Sequence, residues 1–283
     1  MQKKIRKKRI MLKKSVISLI SYDADMLPNS IKTYYDYVDE IILGLDKDRI
    51  TWNHQPFSFD ENRLWAELKK LDTKNKISII EENFHPSGIA IENDNYERNV
   101  LKSHCTNDWI MSFDADEQLI NPKEFFYNWC PISEPYYKIY DINFTWFLPW
   151  KEFEEDILFI TNEDGSFIKS EKQGFATYKD NMYTYARWTE NQLRVDSPLC
   201  ILHWSLCRKE KDLQQKINNI GHADRAKGDP FLNIWKQTNL DNFQNMKNFK
   251  TSGLGDPRQW PKLSKFNKNN IKQICKAEAD RTY

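Results

Sequence analysis

Short apolar runs alternate with amphipathic stretches over the first 120 positions. Ser15 to Ile20 is brief and rich in β-branched residues, which predicts a strand. After the polar stretch Ser21-Tyr22-Asp23-Ala24-Asp25, Pro28 stands where a helix can open. Ile31, Tyr34, Tyr35 and Val38 then recur at helical spacing. Glu40 to Leu45 reads as a second strand ending at Asp46, and residues 47–60, broken by Pro56, as a loop. Leu64, Trp65, Leu68 and Leu71 put one apolar face on a helix over Asn62 to Leu71. Lys76 to Ile80 reads as a third strand and residues 83–92 as a loop with Pro86 and Gly88. Asn93 or Asp94 can cap a helix reaching about His104. Trp109 to Phe113 then reads as a short buried strand ending in the carboxylates Asp114, Asp116 and Glu117. This β-α-β-α-β-α-β order specifies a mostly parallel sheet with helices on both faces, an α/β fold.

Beyond residue 120 the pattern changes. Tyr136 to Phe147 reads as one long, partly alternating strand, with aromatics continuing to Trp150. Glu152 to Asp164 is acidic and reads as a loop. Tyr183 to Trp188 and Gln192 to Val195 are candidate strands of a hairpin, and Leu199 to Trp204 is another strand. Leu213, Ile217 and Ile220 form the stripe of a helix over Lys209 to Lys227. The last fifty residues, rich in Asn and Lys, read as surface helices, and no internal repeat occurs. The chain thus divides into a basic tail (1–14), a first half (15–120), a second half of the same domain (121–208) with a smaller mixed sheet, and a helical C-terminal extension (209–283).

Charge changes this picture only at the start. The net charge is +1, so no overall field selects a nucleic acid. Residues 1–14 hold eight bases and no acid, against 34 bases and 41 acids elsewhere. Such a head can touch anionic lipid, the one route to peripheral membrane contact, although a solvated tail is the simpler reading. It lacks the apolar region of a signal peptide, and no apolar run reaches spanning length. Five scattered cysteines without a Cys-x-x-Cys suit reduced thiols in a cytoplasm and argue against a zinc site.

The chemistry gathers at the strand ends. In open α/β sheets ligands bind outside the carboxyl ends of the strands. If extended geometry persists, Asp114 and Asp116 lie on one face. Two carboxylates there suit a hard divalent cation, Mg²⁺ or Mn²⁺, that keeps positions for phosphate. Asp23-Ala24-Asp25 and Asp46-Lys47-Asp48 have the same spacing at the ends of the first two strands, so all three pairs can face one cleft.

Four segments in order carry a resemblance. Asn95-Tyr96-Glu97-Arg98-Asn99, Asn107-Asp108-Trp109-Ile110, Phe113-Asp114-Ala115-Asp116-Glu117 and Val38-Asp39-Glu40-Ile41-Ile42 followed by Asp46 resemble inverting family 2 glycosyltransferases of the GT-A fold. The likeness covers roughly residues 15–120, weakens to about 225 and is absent beyond. It implies a Rossmann-like, mostly parallel sheet with a smaller acceptor-side sheet and C-terminal helices. It also implies transfer of a sugar from a nucleotide-sugar, UDP-linked as a first expectation, to a glycan or other saccharide acceptor on the cytoplasmic side. Asp114 and Asp116 would hold Mn²⁺ or Mg²⁺ on the donor diphosphate, with His203 as a further ligand. Ser21, Tyr22 and Asp23 would line the nucleoside pocket, Asp46 would bind base or ribose, and Arg98 would sit beside base or diphosphate. Ile20 stands in place of the family's usual Pro, and Gly44 interrupts the apolar second strand.

A single displacement also needs a general base for the acceptor's proton. Glu152, Glu154, Glu155, Asp156, Glu163, Asp164, Glu190 and Asp196 are candidates, and the resemblance favours Glu190 or Asp196. The aromatics Tyr136 to Trp150, Trp188 and Trp204 offer sugar-stacking faces or, more simply, core. Three other readings compete. A haloacid-dehalogenase-like phosphatase would use Asp23 and Asp25, but Leu27 stands where it needs Thr. A nucleotidyltransferase needs a Gly-rich basic loop that Ser21 to Asn29 lacks. A non-catalytic carbohydrate-binding protein has no need of the carboxylates.

Overall fold

The computed structural model describes residues 12–133, 136, 138–167, 173–219, 231–246 and 262–280. The first half follows the periodicity closely. Strand β1 (Lys14–Ile20), helix α1 (Leu27–Lys32), β2 (Glu40–Asp46), α2 (Glu61–Leu71), β3 (Ile77–Glu82), α3 (Ala90–Ser103) and β4 (Trp109–Ser112) succeed one another. Then come β5 (Glu117–Leu119), a π-helical turn (Glu124–Trp129) running into α4 (Cys130–Ser133), β6 (Asp141–Phe147), β7 (Pro149–Glu152) and β8 (Asp156–Thr161). They are followed by β9 (Gln173–Tyr178), β10 (Tyr183–Tyr185), β11 (Trp188–Thr189), β12 (Arg194–His203), α5 (Glu210–Asn219), α6 (Phe231–Gln237), β13 (Lys262–Asn267) and α7 (Ile271–Asp280).

Eight strands make the main sheet, in the order β3-β2-β1-β4-β9-β6-β12-β5. The pairs β3–β2, β2–β1, β1–β4 and β6–β12 are parallel, whereas β9 runs against both β4 and β6, and β5 against β12. All strands but β9 and β5 therefore deliver their carboxyl ends to one edge. This is a mostly parallel α/β sheet flanked by helices, with two small antiparallel sheets, β13-β8-β7 and β10-β11. The architecture agrees with the GT-A-like α/β class expected from the sequence.

Burial explains why the strands read as continuous apolar runs. Every residue of β1 and β4 is buried, as parallel strands covered on both faces must be. Below the site the core holds Val16, Ile41, Leu43, Trp109, Met111, Phe113, Phe125, Phe144 and Phe175. A second cluster joins the small sheet to the C-terminal elements through Trp150, Leu158, Ile160, Leu213, Ile217, Trp235, Phe243 and Leu263. The aromatics of the second half are mostly core, since Phe144, Phe147 and Trp150 are fully buried.

Several expectations change. The helix after Pro28 is short: α1 ends at Lys32, and Tyr35–Tyr37 forms a 3-10 turn, though Ile31, Tyr34, Tyr35 and Val38 all stay buried. Asn93 and Asp94 lie inside α3 rather than capping it. Asn93 instead bonds the 52 and 87 loop backbone, and Asp94 turns to Arg98. Tyr136 to Phe147 is a strand only from Asp141. The acidic stretch Glu152 to Asp164 is no loop, because Ile157 to Ile160 are buried in β8. The hairpin is β10 with β11, and the two later candidate strands fuse into β12 across Pro198, with an irregularity between Asp196 and Cys200. Helix α5 is described to Asn219, and Ile220 to Lys227 lie outside the described residues. The C-terminal extension is not wholly helical, since Lys262–Asn267 pairs along β8. Gly44 has a packing reason: a Cβ there would lie 2.6 Å from Glu97 Oε1 and 2.8 Å from Leu101, so glycine lets α3 press on β2.

Among the described residues no disulfide joins the cysteines and no helix is long and apolar enough to cross a membrane. Of the basic tail expected over residues 1–14, residues 1–11 lie outside the described residues, and Lys14 is instead the buried first residue of β1.

Candidate active site at the carboxyl edge

Strand β4 stops at Ser112, and the chain turns through Ala115 and Asp116 before β5, with the Glu117 amide bonded to the Asp114 carbonyl at 3.2 Å. The extended geometry that would have put Asp114 and Asp116 on one face is therefore absent. The turn sends the two carboxylates to different partners.

Asp114 is clamped by two arginines. Arg98 Nη2 donates to Oδ1 at 3.1 Å and Arg187 Nη2 to Oδ2 at 2.7 Å. Burial acts to raise its pKa, but the Arg187 and Arg98 guanidiniums outweigh that and hold it well below the usual carboxylate range. Arg98 engages each of its three nitrogens, with Nε on Asp94 at 2.6 Å and Nη1 on Ser112 Oγ at 2.6 Å besides Nη2 on Asp114. It fixes the carboxylate rather than standing open to a nucleotide.

Arg187 was not read from the sequence. A lone arginine in an irregular stretch gives no periodic signal. It follows Ala186, whose φ is +50°, and its Nη2 is shared between Asp114 and Glu117 Oε1, each at 2.7 Å. Glu117 is wholly buried. Its Oε2 accepts the Asp114 amide at 3.0 Å, and its Oε1 accepts Trp146 Nε1 at 2.7 Å. Trp146 in turn lies against the His203 ring, centroids 4.4 Å apart. The antiparallel register of β5 on β12 sets His203 opposite Glu117.

Asp116 has no side-chain exposure. Its Oδ2 accepts Arg208 Nη2 at 2.5 Å and Lys216 Nζ at 2.7 Å. Burial pushes its pKa up, yet Lys216, His203 and Arg208 together hold it well below the normal range. The other oxygen, Oδ1, has no hydrogen-bond partner and faces His203 Nε2 at 3.5 Å. Arg208 also takes Asp23 Oδ2 at 2.9 Å through the same Nη2, which draws the end of β1 to the end of β4. Tyr22 stands in this field, its phenol pushed well above the usual value by burial and by Asp23. Ser21 closes the turn after β1 by accepting the Ala24 amide at 3.1 Å.

Asp46 ends β2 at the same edge but joins none of these ion pairs. Its Oδ1 accepts the Asp48 and Ile50 amides and its Oδ2 the Phe84 amide and His85 Nδ1, the last at 2.7 Å. Burial opposes ionisation, but His85 and the three amides win and lower its pKa. Asp46, Asp48 and His85 offer ligand atoms within 4.8 Å of one another, so they form a second group able to hold a cation. Four donors already engage both oxygens of Asp46, which organises the loops around it.

The structure does not bring Glu190 or Asp196 to this edge. Glu190 bonds Met182 through its backbone amide and acts on Lys102 at the last turn of α3, at the amino edge of the sheet. Asp196 pairs with Asn143 near the start of β6, seven residues before His203 on the same strand, or about 20 Å along it. Asp25 is exposed beside Phe59 and Arg63, while Asp23 turns to Arg208, so the pair needed by the phosphatase reading does not converge.

Arg208 and Lys216 were also missed, since they lie 92 and 100 positions from Asp116.

No family model matches the chain, and no curated protein matches it. Solved structures with some likeness include TarS 1-349 from S. aureus, at 10% identity and TM-score 0.31, covering 49% of this chain and 36% of that one. The mannosyltransferase PcManGT from Pyrobaculum calidifontis, in complex with GDP-Man and Mn²⁺, is 12% identical with TM-score 0.35, covering 47% and 35%. HddC from Yersinia pseudotuberculosis is 10% identical with TM-score 0.36, covering 67% and 93%. The chain spans about a third of the length of the first two.

Proposed function

We propose that the chain is a glycosyltransferase that takes a sugar from a nucleotide-sugar, UDP-linked in the first instance, and passes it with inversion to a saccharide acceptor. The observation that carries this reading is the convergence of Asp23, Asp114, Asp116 and His203 at the carboxyl edge of a parallel α/β sheet, where such folds take their ligands. A buried carboxylate oxygen without a hydrogen-bond partner, opposite an imidazole nitrogen, is a donor set for a divalent cation. The nitrogen favours Mn²⁺ over Mg²⁺. When bound there, the cation would neutralise the leaving diphosphate as a Lewis acid.

The chain's own residues have separate roles. Asp116 and His203 would hold the cation. Asp114, fixed by Arg98 and Arg187, keeps the turn in place and would meet a cation only through water. Tyr22 and Ser21 line the nucleoside side, and Asp46 holds the loops that flank it. Glu117 and Trp146 keep the His203 ring oriented, the outer-shell task that tunes a metal ligand. The acceptor's base is a carboxylate other than Glu190 and Asp196, which lie away from the carboxyl edge, Asp196 within the same β12 strand that carries His203.

Calorimetric titration of UDP, GDP and CDP, with and without Mn²⁺, on the wild type and Asp116→Ala tests the reading. Manganese-dependent binding of one nucleotide, lost in the variant, is expected. No binding of any of the three under either condition would sink it.

A further inference from the structure

Asp116, Lys216, His203 and Arg208 leave little room for a ligand as they stand. Their side chains are exposed by 0, 14, 10 and 4%, respectively. The cover comes from one segment. The chain leaves β12 at His203, supplies Arg208, and continues as α5, which carries Lys216 in its last turn. The far end of α5 is tied down as well, since Thr51 Oγ1, in the loop after β2, donates to Asn219 Oδ1 at 2.7 Å in a buried bond. Underneath, Leu213 and Ile217 anchor the helix on Trp150 and Leu158. The segment spans the carboxyl edge from the end of β12 to the loop after β2.

Both cations bind the same oxygen, Asp116 Oδ2, and leave Oδ1 without a hydrogen bond. Arg208 Nε is buried and has no partner either, so this guanidinium is not saturated by Asp23 and Asp116. An arginine that is always charged, with a donor to spare, suits a phosphate oxygen. A divalent cation arriving alone meets a carboxylate already neutralised by two positive groups, and like charges repel it. A diphosphate arriving with it offers Arg208 and Lys216 new negative partners.

We propose that Arg208 and Lys216 are donor-binding residues that exchange Asp116 for the diphosphate, so that cation and nucleotide enter as a coupled pair. This rests on the nucleotide-sugar reading above. Linkage makes the coupling reciprocal: whatever factor the diphosphate gives to cation affinity, the cation returns to diphosphate affinity. The same two side chains act as the site's counter-ions before the donor comes and as its phosphate ligands afterwards.

The test is Mn²⁺ binding followed by electron paramagnetic resonance, without nucleotide and with saturating UDP. The proteins are the wild type, Lys216→Met and the double variant Arg208→Gln/Lys216→Met. The wild type should bind Mn²⁺ weakly alone and at least tenfold more tightly with UDP. The double variant should bind Mn²⁺ alone at least tenfold more tightly than the wild type, because Asp116 is uncovered, and should lose the tightening that UDP gives the wild type. Lys216→Met, the milder change, should move both values in the same directions, which keeps the test decisive if the double variant fails to fold. Equal Mn²⁺ affinity of wild type and variants without nucleotide would overturn the exchange while leaving manganese-dependent UDP binding, and so the donor reading, intact. If neither UDP nor GDP nor CDP binds the wild type with Mn²⁺, both are overturned.

Discussion

Gly174 passes beneath the backbone of Arg187 so closely that a Cβ at 174 would sit 2.5 Å from the Arg187 carbonyl oxygen. That oxygen cannot swing aside as the tip of a long side chain could. Gly174→Ala should therefore shift the segment that aims Arg187 at Asp114 and Glu117. We expect a loss of roughly 1–3 kcal/mol in denaturant unfolding, with a larger fall in Mn²⁺-dependent nucleotide affinity than the stability change alone would cause. An unchanged unfolding midpoint would show that the backbone yields there at no cost.

Arg187 joins two acids that the chain brings to one turn. Arg187→Met leaves Glu117 buried with Trp146 and the Asp114 amide as its remaining partners. Removing one member of a buried pair costs about 3–5 kcal/mol. Adding Glu117→Gln should recover part of that loss, so a double-mutant cycle by chemical denaturation should give a coupling of at least about 1 kcal/mol.

Glu97 is the opposite case, an acid that folding keeps protonated. Burial pushes its pKa up to about 8, although Trp52 Nε1 donates to it at 2.7 Å. Unfolded, it titrates near 4.5. Between those two values the folded chain holds the extra proton, so raising the pH weakens folding across that window, and the contribution is fully present only below it. Glu97→Gln should flatten this dependence and stabilise the protein at pH 8 by at least about 1 kcal/mol. Parallel melting curves of wild type and variant from pH 5 to 8.5 would check it, and a constant difference between them would count against the protonated Glu97.

Leu213 has no exposure and fastens α5 to the cluster around Trp150. Leu213→Ala should cost about 2–5 kcal/mol. Hydrogen exchange should locate the loss, with α5 amides opening ahead of those in β1 and β4. Uniform acceleration across all three would mean that α5 does not open on its own.

The parallel half was legible because its signals are local. β1, β2 and α2 each keep one period between clear punctuation, and their observed ends fall within one residue of expectation. β8 was hidden because Glu152 to Asp156 and Glu163 with Asp164 frame four apolar residues with charge, and composition outweighed Ile157-Leu158-Phe159-Ile160. β5 is only three residues long and exists through its pairing with β12. At the site, Asp114 and Asp116 could be picked out as residue types at a strand end, and His203 only through the resemblance. Arg187, Arg208 and Lys216 could not, since a cation that meets its carboxylate 70 to 100 positions away leaves no trace in a sliding window.

The distance in sequence between Asp116 and its cations sets an order of events during synthesis. At roughly 5–20 residues per second, the ribosome needs about 5–20 s after placing Asp116 to reach Arg208, 92 positions later. β1 to β4 can already lie side by side by then, but the last acid of the turn has no counter-charge and cannot be shut away from water. The nascent half must keep that corner wet until the final third of the chain arrives.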